Sequence, residues 1–394
     1  MSTAEWIVKG LCVGYAGGIA SLTWQWLRAR RGVMRQHALA PIAAAAEPLP
    51  SLDVVVPVKD EEGHIATCLR SIYAQEYPNL RVLVVNDRST DRTVERVEEV
   101  RREHADLELH TIRELPAGLY GKPHAIHTLR DRLRGEYVAF VDSDLTLLPG
   151  CLRTLVDHMQ RGRIDWVPLG GTPELTGFWE RLIIPVCGAV ALTWYDPART
   201  NDPNWDDALG SAFMVCRRSA YEALGGHGAV IDRYDEDSEL VRTAKRAGQR
   251  VEFVMGPQLF RQRFYGSLAR TIRGMTRTFA GGIKTPFKLL VTIHSLNFVS
   301  LLPIGLLLIL AGLRAGGVHI PWHGVWAALA GTHLAVSTAL AHMVYSAARE
   351  PRLTWLHPLG ALLTMWITLN ALQHQRTRRP IAWRNTTYTG TTYA

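Results

Sequence analysis

The chain has 394 residues, a formal net charge of +8 and a composition that is 47% hydrophobic. This length suits two or three domains of roughly 100 to 200 residues each. The positive surplus lies beside apolar segments, so a membrane with anionic lipids is the expected partner, which argues against nucleic-acid binding. The five cysteines are widely spaced and odd in number, which argues against a disulfide framework or a structural zinc site.

The first apolar segment, WIVKGLCVGYAGGIASLTWQWL, is long enough to cross a bilayer. The basic sequence RARR follows it directly, which favours a retained anchor with the next domain in the cytoplasm. A cleaved signal peptide, which carries its basic residues before the apolar run, is the alternative. We therefore predict a membrane anchor over residues 1–31, followed over residues 32–50 by a linker rich in Ala and Pro.

Three further apolar segments lie near residues 289–313, 323–347 and 354–373, within an expected membrane region at 289–375. With the central domain in the cytoplasm of a bacterial-type inner membrane, four crossings in all would place the basic tail at 376–394 outside. Basic segments prefer the cytoplasmic side. One C-terminal segment is therefore expected to be re-entrant or interfacial.

Residues 51–262 read as a cytoplasmic α/β domain. The Val-rich runs LDVVVPV and LRVLVVND are separated by the helical pattern EEGHIATCLRSIYAQ, and LELHTIRE and YVAFVDSD follow as further strands. Strand, helix and strand at this spacing predict a parallel sheet with right-handed crossovers.

Three polar clusters, KDEE, NDRSTDRT and DSD, follow the ends of predicted strands. Ligands of open α/β sheets bind beyond the carboxyl ends of the strands, so these clusters are expected to meet in one crevice. The sequence has no G-x-G-x-x-G or G-x-x-x-x-G-K-[ST] there, which argues against a dinucleotide oxidoreductase and a P-loop NTPase.

Asp142 and Asp144 present hard oxygen ligands of the kind that Mg2+ or Mn2+ takes together with phosphate oxygens. A turn before Pro149 and Gly150 is the alternative for this pair. Asp87 ends its own strand, where it would accept hydrogen bonds from a base or ribose, or form an Asx turn or helix cap. Lys122 would offer its charge to a diphosphate, or be a solvated loop lysine.

The segment RYDEDSELVRTAKRAG begins with clustered acids and ends in basic residues. The helix dipole alone accounts for such a gradient. Clustered and partly buried carboxylates also raise the proton affinity of one member toward that of a general base. Both interpretations stay open at this point.

Five segments resemble, in the correct order, the membrane-anchored family 2 glycosyltransferases with a GT-A catalytic domain. PVKDEEGHI resembles P-x-x-N-E-x with Asp60 in place of Asn, and VNDRSTDRT resembles VDDGSTDGT with Asn86 and Arg88 as departures. DSD takes the place of the metal-binding D-x-D, and EDSEL resembles E-D-x-x-L, whose Asp is the base. ALGSAFMVCRRSAYEALGGHGAV resembles the acceptor-side segment.

This resemblance covers about residues 52–285 and extends weakly to PIAWRNTTY, which is similar to a W-[RK]-G-x-x-Y ending. LPAGLYGK, GGH and RFYGSLARTIRGMTRTF look most like the subgroup that glycosylates carotenoid or hopanoid lipids. Ceramide glucosyltransferases are more distant relatives.

The resemblance implies a GT-A nucleotide-sugar-binding domain with transmembrane helices at the N- and C-terminal ends. It implies that Asp237 and Glu236 are catalytic and that Asp142 and Asp144 bind Mg2+ or Mn2+. The residues expected to bind the nucleotide sugar are Pro57, Lys59, Glu61, Asp87, Lys122, Asp142 and Ser143. Those expected on the acceptor side are Gly210, Gly226 and His227.

The reaction implied by the resemblance is inverting transfer of one sugar from a nucleotide sugar, expected to be a UDP-sugar, to a lipid hydroxyl at the cytoplasmic face. Processive synthases of the family carry Q-x-x-R-W after the base, and the corresponding QLFRQRFYGSLARTIRG lacks it. A processive polysaccharide synthase and a catalytically silent membrane scaffold are the alternatives.

Residues 263–288 join the domain to the membrane region and have an amphipathic pattern. Phe264, Leu268, Ile272, Met275 and Phe279 recur at helical spacing with arginines between them. A basic amphipathic helix at the lipid headgroups is one interpretation, and a packing helix under the catalytic domain is the other.

Overall fold

The computed structural model describes residues 3–34, 38–42, 48–195, 197–206, 208–283, 285–377, 381–383 and 386–388. The strands are β1 Leu52–Val58, β2 Leu80–Asp87, β3 Glu108–Ile112, β4 Tyr137–Val141, β5 Leu145–Leu147, β6 Trp166–Gly170, β7 Thr172–Glu174, β8 Phe213–Arg217, β9 Val254–Met255, β10 Phe260–Arg263, β11 Ile381–Trp383 and β12 Thr386–Tyr388. The helices are α1 Thr3–Met34, α2 Ile65–Tyr73, α3 Thr93–Glu103, α4 Gly121–His127, α5 Cys151–Gly162, α6 Phe178–Trp194, α7 Pro197–Thr200, α8 Arg218–Ala223, α9 Glu236–Arg246, α10 Leu268–Gly282, α11 Pro286–Leu296, α12 Leu302–Ala315, α13 His323–Ala347 and α14 His357–Thr377.

The main sheet has seven strands in the order β3-β2-β1-β4-β8-β6-β9. Strands β3, β2, β1 and β4 run parallel, as the sequence predicts. The sheet as a whole is mixed, because β8 lies antiparallel between β4 and β6. No sequence pattern marked β8 in advance, since its partners come from distant parts of the chain.

Strand β1 is buried along its whole length. Side chains of a strand point alternately to the two faces of its sheet. Val54 and Val56 pack into one apolar core with α2, α3 and α5. Val55 faces a second core that includes residues of α4 and α9. A Val-rich strand covered on both faces is typical of the centre of a parallel sheet.

The order of the strands places the predicted polar clusters side by side. Strands β2 and β4 flank β1, and all three run in the same direction. Their carboxyl ends therefore lie at one edge, where the loops beginning at Lys59, Asp87 and Asp142 meet. This edge is the expected crevice of an open α/β sheet.

A helical layer packs beside the sheet domain, with a core drawn mainly from α6, α10, α11, α13 and α14. The Tyr345 hydroxyl of α13 donates a hydrogen bond to the carbonyl of Leu182 in α6 at 2.8 Å. The Gln375 side chain of α14 donates to the carbonyl of Ala280 in α10 at 2.9 Å. Helix α6, which lies inside the predicted 51–262 domain, is thus part of this helical layer.

Two helical stretches are long and apolar enough to cross a membrane, Pro286–Ala315 and His323–Ala347. They correspond to two of the four predicted crossings. The N-terminal anchor and the segment at 354–373 form the helices α1 and α14, which are not among these candidates. Their membrane crossings stay predictions.

The predicted amphipathic pattern of residues 263–288 falls largely on α10. Met275 and Phe279 are buried in the helical layer, and Phe264, Leu268 and Ile272 pack against it. The apolar side chains of this segment thus pack within the helical layer, and a position of the segment at the lipid headgroups stays a prediction. The basic side chains lie on the other faces of the helix.

The described parts of the predicted linker pack on the sheet domain. The Leu39 amide donates to the carbonyl of Met255 at 2.8 Å, and the Ile42 amide donates to the Thr154 hydroxyl at 3.0 Å. Residues 35–37 and 43–47 of the linker, and 378–380, 384–385 and 389–394 of the tail, lie outside the described residues.

Candidate active site

The loop after β1 is tied to the loop after β2 by Lys59. Its buried ammonium group donates to the carbonyls of Asp87 at 3.0 Å and Arg88 at 3.2 Å. Arg88 has φ +55°, so the chain turns sharply directly after the strand. Lys59 therefore helps to shape this part of the crevice through its contacts with the backbone. Pro57, near the end of β1, lies beside Val85 of β2.

Asp87 is 2% exposed, and its Oδ1 accepts a hydrogen bond from Nε of Arg88 at 2.7 Å. Its Oδ2 is buried and has no hydrogen-bond partner within the part of the chain that the structure describes. Buried carboxylate oxygens are ordinarily hydrogen-bonded. Asp87 thus offers an acceptor for a donor group of a ligand at the carboxyl end of β2.

Asp60 and Glu61 join the same two loops. Oδ1 of Asp60 accepts from the Thr90 amide at 2.7 Å, and the Glu61 amide donates to the Thr93 hydroxyl at 2.7 Å. Asp60 has φ +50°, a left-handed conformation that Asn and Asp adopt more readily than most residues. The departure from Asn at this position therefore preserves the backbone geometry.

Main-chain hydrogen bonds hold the DSD turn on both sides. The Asp142 amide donates to the carbonyl of Ala212 at 3.0 Å, and the Arg263 amide donates to the carbonyl of Asp144 at 3.2 Å. Ser143 between them is buried. Strand β5 follows at once and pairs antiparallel with β10, which places Arg263 beside the turn. The turn is thus built into two sheets.

Three carboxylates of the crevice lie close enough to Cys68 to affect the pKa of its thiol. Burial raises the pKa of the Cys68 thiol, and Asp144, Asp142 and Glu61 raise it further. Cys68 lies in α2, and its thiol points toward the Asp142 carbonyl at 3.7 Å. Glu61 and the DSD turn therefore surround the same side of α2.

Lys122 connects this turn to the first turn of α9. Its ammonium nitrogen lies 2.7 Å from Oδ1 of Asp142 and 2.9 Å from Oε1 of Glu236. Burial opposes the charge, but Asp142, Glu236 and Asp237 raise the pKa of Lys122 well above its usual value. Lys122 is thus a firmly charged bridge between the donor-side acids and the predicted catalytic pair.

Glu236 and Asp237 begin α9, where the helix dipole favours negative charge. Burial raises the pKa of Glu236 to about 7, with Lys122 opposing and Asp237 adding to the rise. Oδ1 of Asp237 accepts from the Ser238 amide at 2.7 Å. Gly210 packs so closely that a Cβ there would clash with the backbone of Ser238 and of Asp237.

Gly226 and His227 lie beneath the crevice rather than at its surface. His227 is 1% exposed, and its Nδ1 shares a hydrogen bond of 2.9 Å with the Tyr221 hydroxyl. Burial, with Lys122 and His127, lowers the pKa of His227 to about 3, so the ring is neutral. Gly226 has φ +61°, and a Cβ there would meet the Tyr221 ring. These contacts account for both residues by packing, and their acceptor role stays a prediction.

The oxygen ligands that the DSD turn offers fit a metal ion that takes few ligands from the protein. Across the described ranges, no group of three or more His, Cys, Asp or Glu side chains forms a closed metal site. Asp142 and Asp144 supply two carboxylates, and Mg2+ commonly binds one or two carboxylates together with phosphate oxygens and water. The residues therefore fit Mg2+ or Mn2+ in an open site that a donor phosphate would complete.

Tyr265 is a neighbour of this turn that the sequence analysis did not single out. Its ring packs on Gly274 of α10, where any Cβ would collide with it. Burial raises the pKa of Tyr265, and Asp144 adds to the rise. Glu180 was also missed, although it accepts from the amides of Gly177 at the start of α6 and of Gly266 before α10. The aromatic pair at 264–265 and the capping pattern before α6 were the available signals.

The parallel strands, the acid-bearing loops at their carboxyl ends and the D-x-D turn define an α/β domain with the GT-A fold. Residues 53–225, less than half of the chain, match the family model described as glycosyl transferase family 2. This match confirms the family 2 resemblance over these residues, and with the likeness reported below it confirms the α/β GT-A part of the fold class. The matched region includes the DSD turn and ends before α9.

Two curated relatives are 4,4'-diaponeurosporenoate glycosyltransferases of Staphylococcus aureus, one from strain bovine RF122 / ET3-1 and one from strain USA300. Each is 28% identical over 184 residues, which are 45% of this chain and 46% of the relative. The chain thus matches about half the length of these relatives.

The structure is also similar to a mannosyltransferase from Pyrobaculum calidifontis solved in complex with GDP-Man and Mn2+. The TM-score is 0.52 at 18% sequence identity, and the likeness covers 93% of this chain and 99% of that chain. At this identity the likeness establishes the fold.

Proposed function

We propose that this protein is an inverting, metal-dependent glycosyltransferase that moves one sugar from a nucleotide sugar to a lipid hydroxyl at the cytoplasmic face of a membrane. The observation that carries the proposal is the contact of Lys122 with both Asp142 and Glu236. It brings the D-x-D turn of a family 2 domain against the turn that bears the expected base. A donor and an acceptor would meet at this junction.

The donor would lie across the carboxyl ends of β2, β1 and β4. Asp87 has a buried oxygen available to a base or ribose, and Asp142 and Asp144 would hold Mg2+ or Mn2+. The metal, when bound, would stabilise the charge that develops on the departing nucleoside diphosphate. Uridine is the expected base, although Asn86 and Arg88 depart from the family pattern.

Asp237 would act as the general base. It would take the proton of the acceptor hydroxyl as that oxygen forms a bond to the anomeric carbon. The bond from this carbon to the diphosphate would break on the opposite face, which inverts the configuration. Glu236 would remain beside Lys122 and hold the first turn of α9 in place.

A lipid acceptor is supported by two independent observations. The names of the curated relatives contain diaponeurosporenoate, the carboxylate of a carotenoid, which supports a lipid acceptor class and not the hydroxyl itself. The chain itself has two helices long and apolar enough to cross a membrane. A carotenoid or hopanoid lipid is therefore the proposed acceptor class, and Gly210, Gly226 and His227 would support its side of the site.

The packing of the helices suggests how the chain is arranged in the membrane. Pro286–Ala315 and His323–Ala347 form a hairpin, in which His323 lies 3.4 Å from the carbonyl of Leu310. Two crossings return the chain to its starting side, where α14 packs along α10. We take α14 as interfacial, which keeps the basic tail on the cytoplasmic side beside anionic lipids.

The test is transfer of labelled sugar by the detergent-solubilised full chain, with a panel of UDP-sugars and GDP-mannose as donors and extracted carotenoid and hopanoid lipids as acceptors. Metal-dependent label in the organic phase from one donor is the expected result. Label only in insoluble polymer would favour a processive synthase. No label with any donor and metal would overturn the proposed function.

A further inference from the structure

Lys122 has a surrounding that binding of a diphosphate alone does not explain. Its ammonium group is paired with Asp142 at 2.7 Å and with Glu236 at 2.9 Å. The two carboxylates account for two of its three N–H donors. One donor is left for a diphosphate oxygen, so the pairing with both carboxylates needs an explanation of its own.

The Asp142 partner is also a proposed metal ligand. A divalent cation on the DSD turn and the Lys122 ammonium group would therefore compete for the same carboxylate, because two cations close together repel each other. Glu236, in contrast, belongs to the first turn of α9 and is not part of the D-x-D pair. The two contacts of Lys122 thus differ in what metal binding does to them.

We propose that Lys122 is a positioning residue that neutralises Asp142 until the metal arrives, and that it then gives up Asp142 while it keeps Glu236. The inference rests on the proposed function, whose donor site it deepens. Lys122 thereby makes the position of the first turn of α9 depend on occupation of the donor site. Donor loading and alignment of the base become coupled through one side chain.

The backbone around Lys122 is held without its ion pairs, so the side chain can change partners. The Tyr120 amide donates to the carbonyl of Ile231 at 3.1 Å, and the Tyr120 ring meets Tyr234 edge-on with ring centroids 5.8 Å apart. Gly228 packs against His127 at the other end of α4. Loss of the contact with Asp142 therefore leaves α4 anchored.

The first experiment measures Mn2+ binding to the purified full chain without nucleotide, by electron paramagnetic resonance. Lys122→Met removes the competing charge, so its Kd for Mn2+ should fall about five- to tenfold while the transfer rate drops. Lys122→Arg retains the charge and should keep a Kd near that of the unchanged protein. A merely structural lysine would predict weaker Mn2+ binding after Lys122→Met, together with a lower melting temperature.

A second measurement uses the unchanged protein, so it does not depend on a variant that folds. An amine-reactive probe followed by peptide mass spectrometry reports the accessibility of Lys122 with and without Mn2+. Labelling of Lys122 should increase when Mn2+ is added. Unchanged or reduced labelling would overturn the inference, as would an unchanged or raised Kd in a folded Lys122→Met protein.

Failure of this inference is distinguishable from failure of the proposed function. Sugar transfer by the unchanged protein, with Mn2+ binding indifferent to Lys122→Met, would overturn the exchange of partners and leave the glycosyltransferase intact. Absence of transfer with every donor would overturn the proposed function itself, and with it the coupling.

Discussion

The amide of Gly210 donates a hydrogen bond to the hydroxyl of Ser238 at 3.1 Å, next to the expected base Asp237. Gly210 precedes β8, whereas Ser238 lies in the first turn of α9. The contact therefore holds the catalytic turn against the sheet. It leaves no room for a side chain at position 210.

Gly210→Ala should reduce sugar transfer at least roughly tenfold, because the new Cβ must push the backbone at Asp237 and Ser238 away, and small misplacements of catalytic groups are costly. Gly188→Ala in α6 is the matched control, since a Cβ there would meet no atom within 4 Å among the described residues outside its own helical turn. Initial rates with the labelled donor check this. Equal rates for the two variants would contradict a positioning role for Gly210.

Asp237→Asn should lower the transfer rate by roughly 100- to 10,000-fold and leave nucleotide binding nearly unchanged, because a positioned general base contributes about this much. Asp235→Asn is the control. Asp235 lies two residues earlier, and its carboxylate pairs with Arg242 at 2.9 Å. Rates and nucleotide affinity are measured on both variants. Full activity of Asp237→Asn would assign the base to another residue.

The raised pKa of Glu236 makes the stability of the folded protein depend on pH, with a sign that can be worked out. The pKa of its carboxyl is about 7 in the folded state against 4.5 for the ordinary group. The folded state thus binds this proton more tightly, and the contribution of Glu236 to stability falls as pH rises from about 4.5 to about 7.

A Glu236→Gln protein cannot titrate at this position. The melting temperature of this variant minus that of the unchanged protein should therefore increase as the pH rises across the same range. Lys122 stays charged throughout this range, so it adds no titration of its own to the difference. Differential scanning measurements at pH 5, 6, 7 and 8 check the trend. A constant difference between the two proteins would show that Glu236 has an ordinary pKa.

The proposed interfacial position of α14 places Thr377 on the same side as the catalytic domain. The five native cysteines are buried, so a single added cysteine reports its own accessibility. In inside-out vesicles, a membrane-impermeant maleimide should label Thr377→Cys as well as Arg102→Cys in the exposed part of α3. Val318→Cys, in the turn between α12 and α13, is the opposite-side control. Labelling of Thr377→Cys together with Val318→Cys would mean that α14 crosses the membrane.

The sequence predicts the part of the fold that local patterns determine. The Val-rich runs of β1 and β2 and the acids that follow them are local signals, and so the crevice could be located in advance. The antiparallel position of β8 depends on partners far away in the chain, which no local pattern records.

The same difference applies to the candidate site. The residue types at Asp87, Asp142 and Asp237 point to a site only in combination, because a turn, a helix cap or the helix dipole accounts for each carboxylate taken alone. The partners of Lys122 could not be predicted, since a loop lysine has the same local signature whether it is solvated or bridged. The buried ring of His227 likewise follows from Tyr221 and Phe140, which only the folded chain brings to it.

The contact between Leu182 and Tyr345 joins residues 163 positions apart and has a consequence for how the protein is made. At about 5 to 20 residues per second, the ribosome needs roughly 8 to 30 seconds to add Tyr345 after it has added Leu182 to the chain. During this interval α6 gains α10 as a partner but lacks the packing that α13 and α14 supply. If the N-terminal segment brings the ribosome to the membrane early, the apolar side of α6 can contact lipid while it waits for its partners. The risk of aggregation is then confined to the period of synthesis.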